Sequence, residues 1–294
     1  MSNDKSHDME DFNKVKGKNN SKRIGYPKMM ENMNLNSLHV LIPNSLLEET
    51  SDPKIAVYKL GQIARSCSIF RVNHIWVYDS GGSAGDFISE IFKYAEAPPY
   101  LRKVLFDRSS YFENAGVLPP LQTPHHNKYR EPEVGEIREG VFLWEKDGEW
   151  RVNVGLKRPA VFDGDGFENK RDTFKVVETD PLMVERSDPP ENVYWGYDVH
   201  FPGIELDETL KRMTLDHIMA TSRYGEDVRG LKLSPKVRDL GIVFGSPKEG
   251  IPEIESRPGL FGSVVNSIPD QSTKTVRTEE AVIATLSILN LWRG

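Results

Sequence analysis

The sequence predicts an α/β domain interrupted by a small all-β module, and three observations carry that prediction. Near the start, apolar strand runs alternate with helix-period segments around a glycine turn. In the middle, short alternating runs are punctuated by Asp147-Gly148, Gly155, Gly164 and Gly166, and after Pro189-Pro190 the α/β rhythm returns. Strands that alternate with helices form a parallel sheet, whereas closely spaced short strands form a barrel or meander of their own.

The apolar run Leu38-His39-Val40-Leu41-Ile42 is the first strand, ended by Pro43, which has no N–H to give a ladder. A helix follows over about 53–70, with Ile63, Ala64, Cys67 and Phe70 at helical spacing. Ile75-Trp76-Val77-Tyr78 is a short buried strand running into Asp79-Ser80-Gly81-Gly82, and a second helix covers about 86–96. This βαβα order places ligand sites beyond the carboxyl ends of parallel strands. Between 134 and 184, strands are expected at 141–144, 150–154, 160–162 and 173–177, with Asp147-Gly148 as a hairpin turn. The size and spacing fit a compact barrel of the OB type, whose open face commonly binds oligonucleotides; an SH3-like or meander insertion with only a packing role fits as well. Beyond Pro190 come a strand at 194–199, a helix near 207–212, a strand at 215–220 leading into Thr221-Ser222-Arg223, a strand at 239–244 opening a glycine loop, and a final strand and helix. The expected organisation is a polar tail (1–34), the first part of the α/β domain (35–115), the inserted module (116–190) and the second part (191–294).

A chain of 294 residues with 38% apolar content can bury a core, and its net charge of −6 excludes a protein coated in positive charge without excluding a local basic groove. No apolar run approaches the roughly 20 residues that span a bilayer, and the polar N-terminus does not resemble a signal sequence; a cytoplasmic protein that does not engage a membrane is expected. The single cysteine, Cys67, sits in an apolar helical pattern and reads as a small buried hydrophobe. The tail, rich in Asn, Lys, Asp and Ser, reads as disordered. Its Lys14, Lys16, Lys18, Lys22 and Arg23 can touch a polyanion or simply be solvated.

Three loops at the ends of consecutive strands are the chemical candidates: 221–225, 245–250 and 266–278. The second has a glycine at each end, but Ile251-Pro252 stands where a Walker loop needs Lys-Ser/Thr, and the glycines at 82 and 85 lack dinucleotide spacing. In the third, Ile268-Pro269 interrupts any ladder, and Gln271, Ser272, Thr273, Thr275 and Thr278 offer amide and hydroxyl groups near the start of a helix, where backbone N–H groups point outward. Converging loops of this kind can hold an adenosine-like ligand; Thr278 can equally be only an N-cap. His125-His126, without a nearby partner, lacks metal-ligand spacing, and no metal is expected. With Lys128, Tyr129 and Arg130 the pair reads as a loop facing RNA, aromatic and basic groups serving to stack on bases and meet phosphates.

The pairing of FGSPKEGIPE with NSIPDQSTKTVRTEEAVIATLSILN resembles the cofactor-binding end of SPOUT methyltransferases, which bind S-adenosylmethionine in a C-terminal trefoil knot. VLPPLQTPHH, the inserted module, YWGYDV and TVRTEEA together resemble archaeal and eukaryotic RNA methyltransferases that carry an OB-like insertion in a SPOUT domain. The resemblance covers nearly everything after the tail. It implies that Thr221, Ser222, Gly245, Gly250, Asn266, Ile268, Gln271, Thr275, Val276 and Thr278 surround the cofactor, with Ile268 and Val276 flanking the adenine. Asp270 stands where related loops often carry glycine or another small residue. KLGQIARSCSIFRVNHIWVY is similar to the first SPOUT motif, which puts Arg65 on the substrate side, and Arg277 takes the place of a substrate-facing polar residue. An arginine can orient a phosphate or stabilise negative charge developing on the attacking base; Arg65 can instead make only a helix-surface ion pair. Glu279 and Glu280 can meet the substrate or simply suit the helix dipole. The resemblance further implies a homodimer with a site completed across its interface, and by analogy a base nitrogen of ribosomal RNA, such as uridine N3, as acceptor. The rival expectation is a non-catalytic RNA-binding or ribosome-assembly protein on the same fold.

Overall fold

Burial on both faces marks the centre of the sheet. In β1 (Ser37–Pro43), Leu38, Val40 and Ile42 lie on one face and Leu41 on the other, and all four are buried. The computed structural model describes residues 33–126 and 131–293, so most of the expected tail, with its basic residues, and Lys128, Tyr129 and Arg130 lie outside the described residues. Among the described residues, Met33 is buried, and its N–H bonds to the Trp292 carbonyl at 2.8 Å. Helix α1 (Pro53–Ile69) starts where expected, because the Asp52 carboxylate caps the Lys54 N–H at 2.7 Å and Pro53 needs no partner in the first turn. It leads to β2 (His74–Tyr78), α2 (Gly85–Glu96) and a single turn, α3 (Arg102–Leu105).

Two short 3-10 turns, Ser110–Phe112 and Ala115–Val117, precede the inserted module. The segment that follows them packs on α1 before reaching the barrel: the Arg65 guanidinium donates to the Pro120 and Leu121 carbonyls. Five strands then close a barrel: β3 (Ile137–Lys146), β4 (Glu149–Asn153), β5 (Ala160–Asp163), β6 (Arg171–Thr179) and β7 (Leu182–Arg186), in the order β3-β4-β5-β7-β6. The β3–β4 turn is the expected hairpin, with Asp147 at φ 56° and Gly148 at φ 83°, the left-handed pair that a twisted two-residue hairpin requires. Phe142, Phe162 and Phe174 fill the interior edge to face, with centroids 5.3–5.7 Å apart. The sequence reading omitted β7, whose buried Leu182 and Val184 alternate with outward residues.

The chain rejoins the sheet through β8 (Asp198–His200), shorter than the expected strand because the preceding tyrosines are side-chain anchors: Tyr194 and Tyr197 donate to the Val72 and Phe92 carbonyls at 2.8 and 3.1 Å. Then come α4 (Leu206–Lys211), β9 (His217–Asp227), β10 (Asp239–Val243), the turn α5 (Glu253–Ser256), β11 (Ser263–Asn266) and α6 (Thr278–Asn290). The six-stranded sheet has the order β11-β9-β10-β1-β2-β8, and every neighbouring pair is parallel. One face buries Leu41, Tyr78, Ala220 and Val243 against Leu206, Leu210 and Ile251, while α1 packs against both α2 and α6. The chain passes β9 twice, going from β10 out to β11 and returning to start α6 beside Gly245, where Thr278 Oγ1 donates to the Gly245 carbonyl at 3.2 Å. The expected architecture, a parallel sheet flanked by helices with an inserted closed barrel, is present.

Candidate functional site

The three candidate loops meet at the carboxyl edge of the sheet. The first is an excursion inside β9 and not a loop after it. Val264 of β11 pairs with Ala220 but Val265 pairs with Glu226, so residues 221–225 bulge out of the ladder. Thr221 Oγ1 donates to the Val243 carbonyl at 3.0 Å, tying the base of the bulge to the end of β10, and the Ser222 hydroxyl accepts the Tyr224 N–H at 3.2 Å. At its tip Arg223 lies over the Tyr224 ring, 4.5 Å from the centroid.

The second loop closes on itself. Ser246 and Gly250 exchange backbone hydrogen bonds of 2.9 and 3.1 Å, and the Ser246 hydroxyl accepts the Glu249 N–H. A β-carbon on Gly245 would stand 2.3 Å from the Gly250 carbonyl carbon, so only glycine permits this closure. The loop is anchored from below, where the Tyr78 hydroxyl donates to the Phe244 carbonyl at 2.8 Å.

The third loop is held by its own polar groups. Asn266 Oδ1 accepts the Ile268 N–H at 3.0 Å, its Nδ2 donates to the Arg223 carbonyl at 3.0 Å, and Arg223 in turn donates to the Lys274 carbonyl at 3.0 Å. Asp270 takes a positive φ of 60°, the conformation a glycine at that place would adopt without strain. The Ser267 and Thr285 hydroxyls, 2.7 Å apart and buried, pin the loop to α6. Thr278 is not the N-cap: that position is Arg277, whose N–H is accepted by the Glu280 carboxylate at 2.9 Å. The buried Thr278 hydroxyl spans instead to Gly245, because a side chain in the first turn points away from the orphan N–H groups it would have to cap.

Bonds from Thr221 to Val243, Asn266 to Arg223 and Thr278 to Gly245 fasten together the three loops, which also carry Ser222, Gly250, Ile268, Gln271, Thr275 and Val276. Beside them opens a cleft of about 460 Å³ lined by Arg223, Tyr224, Asn266, Asp270, Gln271, Thr273 and Lys274. Arg223, Tyr224 and Lys274 lie in the expected loops without being expected site residues; the Arg-Tyr dipeptide after Thr221-Ser222 is the available signal. Arg277 is exposed at the start of α6, and its guanidinium has no partner among the described residues.

Arg65 and the histidine pair fall elsewhere. Arg65 lies twelve residues beyond the first residue of α1, about 18 Å along the helix at 1.5 Å per residue. A helix following a parallel strand runs back toward the amino edge, so within one subunit Arg65 points away from the loops and serves the Pro120 and Leu121 carbonyls. His125 is fully buried, with Nε2 3.1 Å from the Glu96 carbonyl and 3.0 Å from Glu96 Oε1, and His126 also bonds that carbonyl. Burial first, then the neighbouring His125, pushes His126 down to about 4. His125, with no exposed surface, packs at the root of the barrel and cannot stack on a base, whereas His126 is half-buried beside it. Around it, Arg171 bonds Glu96 at 2.5 and 3.1 Å and Glu139 at 2.6 Å, and Trp195 Nε1 donates to Glu139 at 2.6 Å. Burial raises Glu96, but His125 and Arg171 outweigh it and hold the carboxyl at about 2.

A family model described as "Putative RNA methyltransferase" matches residues 37–289. A Haloarcula marismortui protein is 32% identical over 280 residues, which cover 86% of this chain and 98% of its own. The Homo sapiens "28S rRNA (uridine-N(3))-methyltransferase" is 31% identical over 297 residues, covering 86% of this chain and 77% of its own. Among solved structures, an RNA 2′-O ribose methyltransferase shares 13% identity at a TM-score of 0.37, covering 92% of this chain and 60% of its own. Because the family match runs from the first strand into the last helix, taking in the sheet, the barrel and the three-loop edge, the chain belongs to this family of RNA methyltransferases.

Proposed function

We propose that the protein moves the methyl group of S-adenosylmethionine onto a base nitrogen of a structured RNA, N3 of a uridine in ribosomal RNA. The observation that carries this is the convergence of three loops at the carboxyl edge, fastened by Thr278 to Gly245 and by Asn266 to Arg223, where parallel α/β sheets hold ligands. Half-buried Ile268 and Val276 offer the adenine apolar contact. The backbone and small polar groups of Thr221, Ser222, Gly245, Gly250, Asn266, Gln271, Thr275 and Thr278 serve the rest of the cofactor. The acceptor rests on the activity named for the Homo sapiens relative.

Bound there, S-adenosylmethionine would supply an electrophilic methyl group: N3 would lose its proton to water, form the bond to the methyl carbon, and the carbon–sulfur pair would stay on sulfur as the thioether of S-adenosylhomocysteine. Arg277, exposed at the cofactor edge with no guanidinium partner among the described residues, stabilises the charge that develops on the base. The closed five-strand barrel is read as an OB type that helps to place the RNA. A homodimer that completes the site, through Arg65 of the second copy, goes with this reading. So does a cytoplasmic setting: no described helix is long and apolar enough to cross a membrane, and Cys67 is a buried free thiol.

Calorimetry with S-adenosylmethionine and S-adenosylhomocysteine tests the cofactor; a well-folded protein that shows no binding heat with either sinks the proposal. Mass spectrometry of ribosomal RNA from a deletion strain and its parent tests the acceptor. Loss of a 3-methyluridine is expected, and an unchanged 3-methyluridine content overturns the assignment.

A further inference from the structure

A second constellation lies on the same sheet at its opposite, amino-terminal edge. His74 is the first residue of β2, and Asp198 and His200 belong to the edge strand β8; in the ladder His74 pairs with Asp198 and Trp76 with His200. Paired residues, and residues two apart on one strand, share a face. The three side chains are thus gathered on one face although the whole barrel separates them in the chain.

Their donor atoms all lie within 4.8 Å of one another. His74 Nδ1 is 3.2 Å from His200 Nε2 and 3.6 Å from Asp198 Oδ2. A tetrahedral zinc ion with bonds of about 2.0–2.1 Å sets its donors about 3.3–3.4 Å apart, a value that falls between those two separations. The rings are held in place from behind. His39 stacks on His74 at 4.5 Å and Trp76 on His200 at 4.0 Å. His39 itself is fixed by Ser37 Oγ at 2.8 Å from its Nε2 and by the Trp76 Nε1–H donating to its Nδ1 at 3.2 Å. The Asp198 side chain is 76% exposed, so a fourth position is open to water.

We propose that His74, His200 and Asp198 form a transition-metal site whose occupant is zinc. Two imidazoles and a carboxylate with one open position are a zinc donor set, and they disfavour the hard, all-oxygen cations. The ion ties β8, the three-residue edge strand by which the chain returns from the barrel, to β2. The site owes nothing to methyl transfer, since it lies at the end of the sheet away from the three loops.

The test uses the full chain, stripped with a chelator and titrated with Co²⁺ and Zn²⁺. One equivalent of Co²⁺ is expected to give the visible bands of a tetrahedral ion and to be displaced by Zn²⁺. His74→Gln and His200→Gln weaken binding on the order of 100-fold. Asp198→Asn, an exposed change that leaves the fold intact, weakens it on the order of tenfold. His217→Gln removes a ring that bonds Ser263 at 2.9 Å and leaves binding unchanged. Absence of stoichiometric binding overturns the proposal, and so does binding indifferent to Asp198→Asn; circular dichroism identifies any histidine variant that fails to fold, in which case Asp198→Asn decides.

Discussion

Gly245 concentrates the steric demands of the cofactor edge in one position. Replacing it with alanine sets a methyl group against the Gly250 carbonyl, and because the obstacle is backbone the loop itself must open. Gly245→Ala is expected to lower stability by about 1–3 kcal/mol and to weaken S-adenosylmethionine binding, measured by denaturant unfolding and calorimetry. Unchanged affinity would remove this loop from the site. Glu96 makes a different prediction. Its folded value is about 2 against an ordinary 4.5, so the carboxylate is preferred in the folded state. Its contribution is complete above about 4.5 and disappears as pH falls through about 2. Glu96→Gln should cost about 3–5 kcal/mol at neutral pH, because Arg171 and His125 lose a buried partner, and should flatten the acid limb of the stability profile below pH 4.5. An acid limb as steep as in the parent protein would contradict the assignment. The sequence showed Glu96 only as the end of a helix, since Arg171 and His125 reach it from distant segments.

Among the elements, the β3–β4 hairpin is a case where local chemistry is sufficient. Gly148 has a φ of 83° with no heavy atom near the place of its missing β-carbon. Gly148→Ala should therefore cost only the left-handed backbone penalty, about 1–2 kcal/mol, read as a shifted denaturation midpoint; a larger loss would mean that the turn packs against something. Helices α1 and α2 and strands β1 and β2 were legible nearly to the residue, because burial on one stripe leaves a period in the chain and burial on both faces leaves a short continuous apolar run. The excursion in β9 was not legible as an excursion. It exists only relative to β11, whose ladder resumes after skipping 221–225, and a single strand's residues do not record their partner's register.

At the scale of the whole molecule, the two arginines proposed for catalysis separate. Arg277→Ala is expected to lower methyl transfer on the order of 100-fold with cofactor affinity nearly intact; full turnover would refute its role. Arg65→Ala should instead lower thermal stability, by about 1–3 kcal/mol, because the Pro120 and Leu121 carbonyls lose their donor. A drop in turnover at unchanged stability would return Arg65 to the site through a second copy. By itself the sequence determined the types and order of most elements, the insertion of a small all-β module into a parallel α/β domain, and the three polar loops. Each of these is written in near-neighbour periodicity, turn residues or a contiguous motif. The module's closure into a barrel came from the structure. Only the tertiary structure decided that His125 is buried against Glu96 with His126 bonded to the same carbonyl, that Thr278 reaches Gly245, and that His74, Asp198 and His200 share one face. These are pairings between segments far apart in the chain, set by strand register and helix direction, and no local pattern of residues encodes which distant side chain will stand opposite.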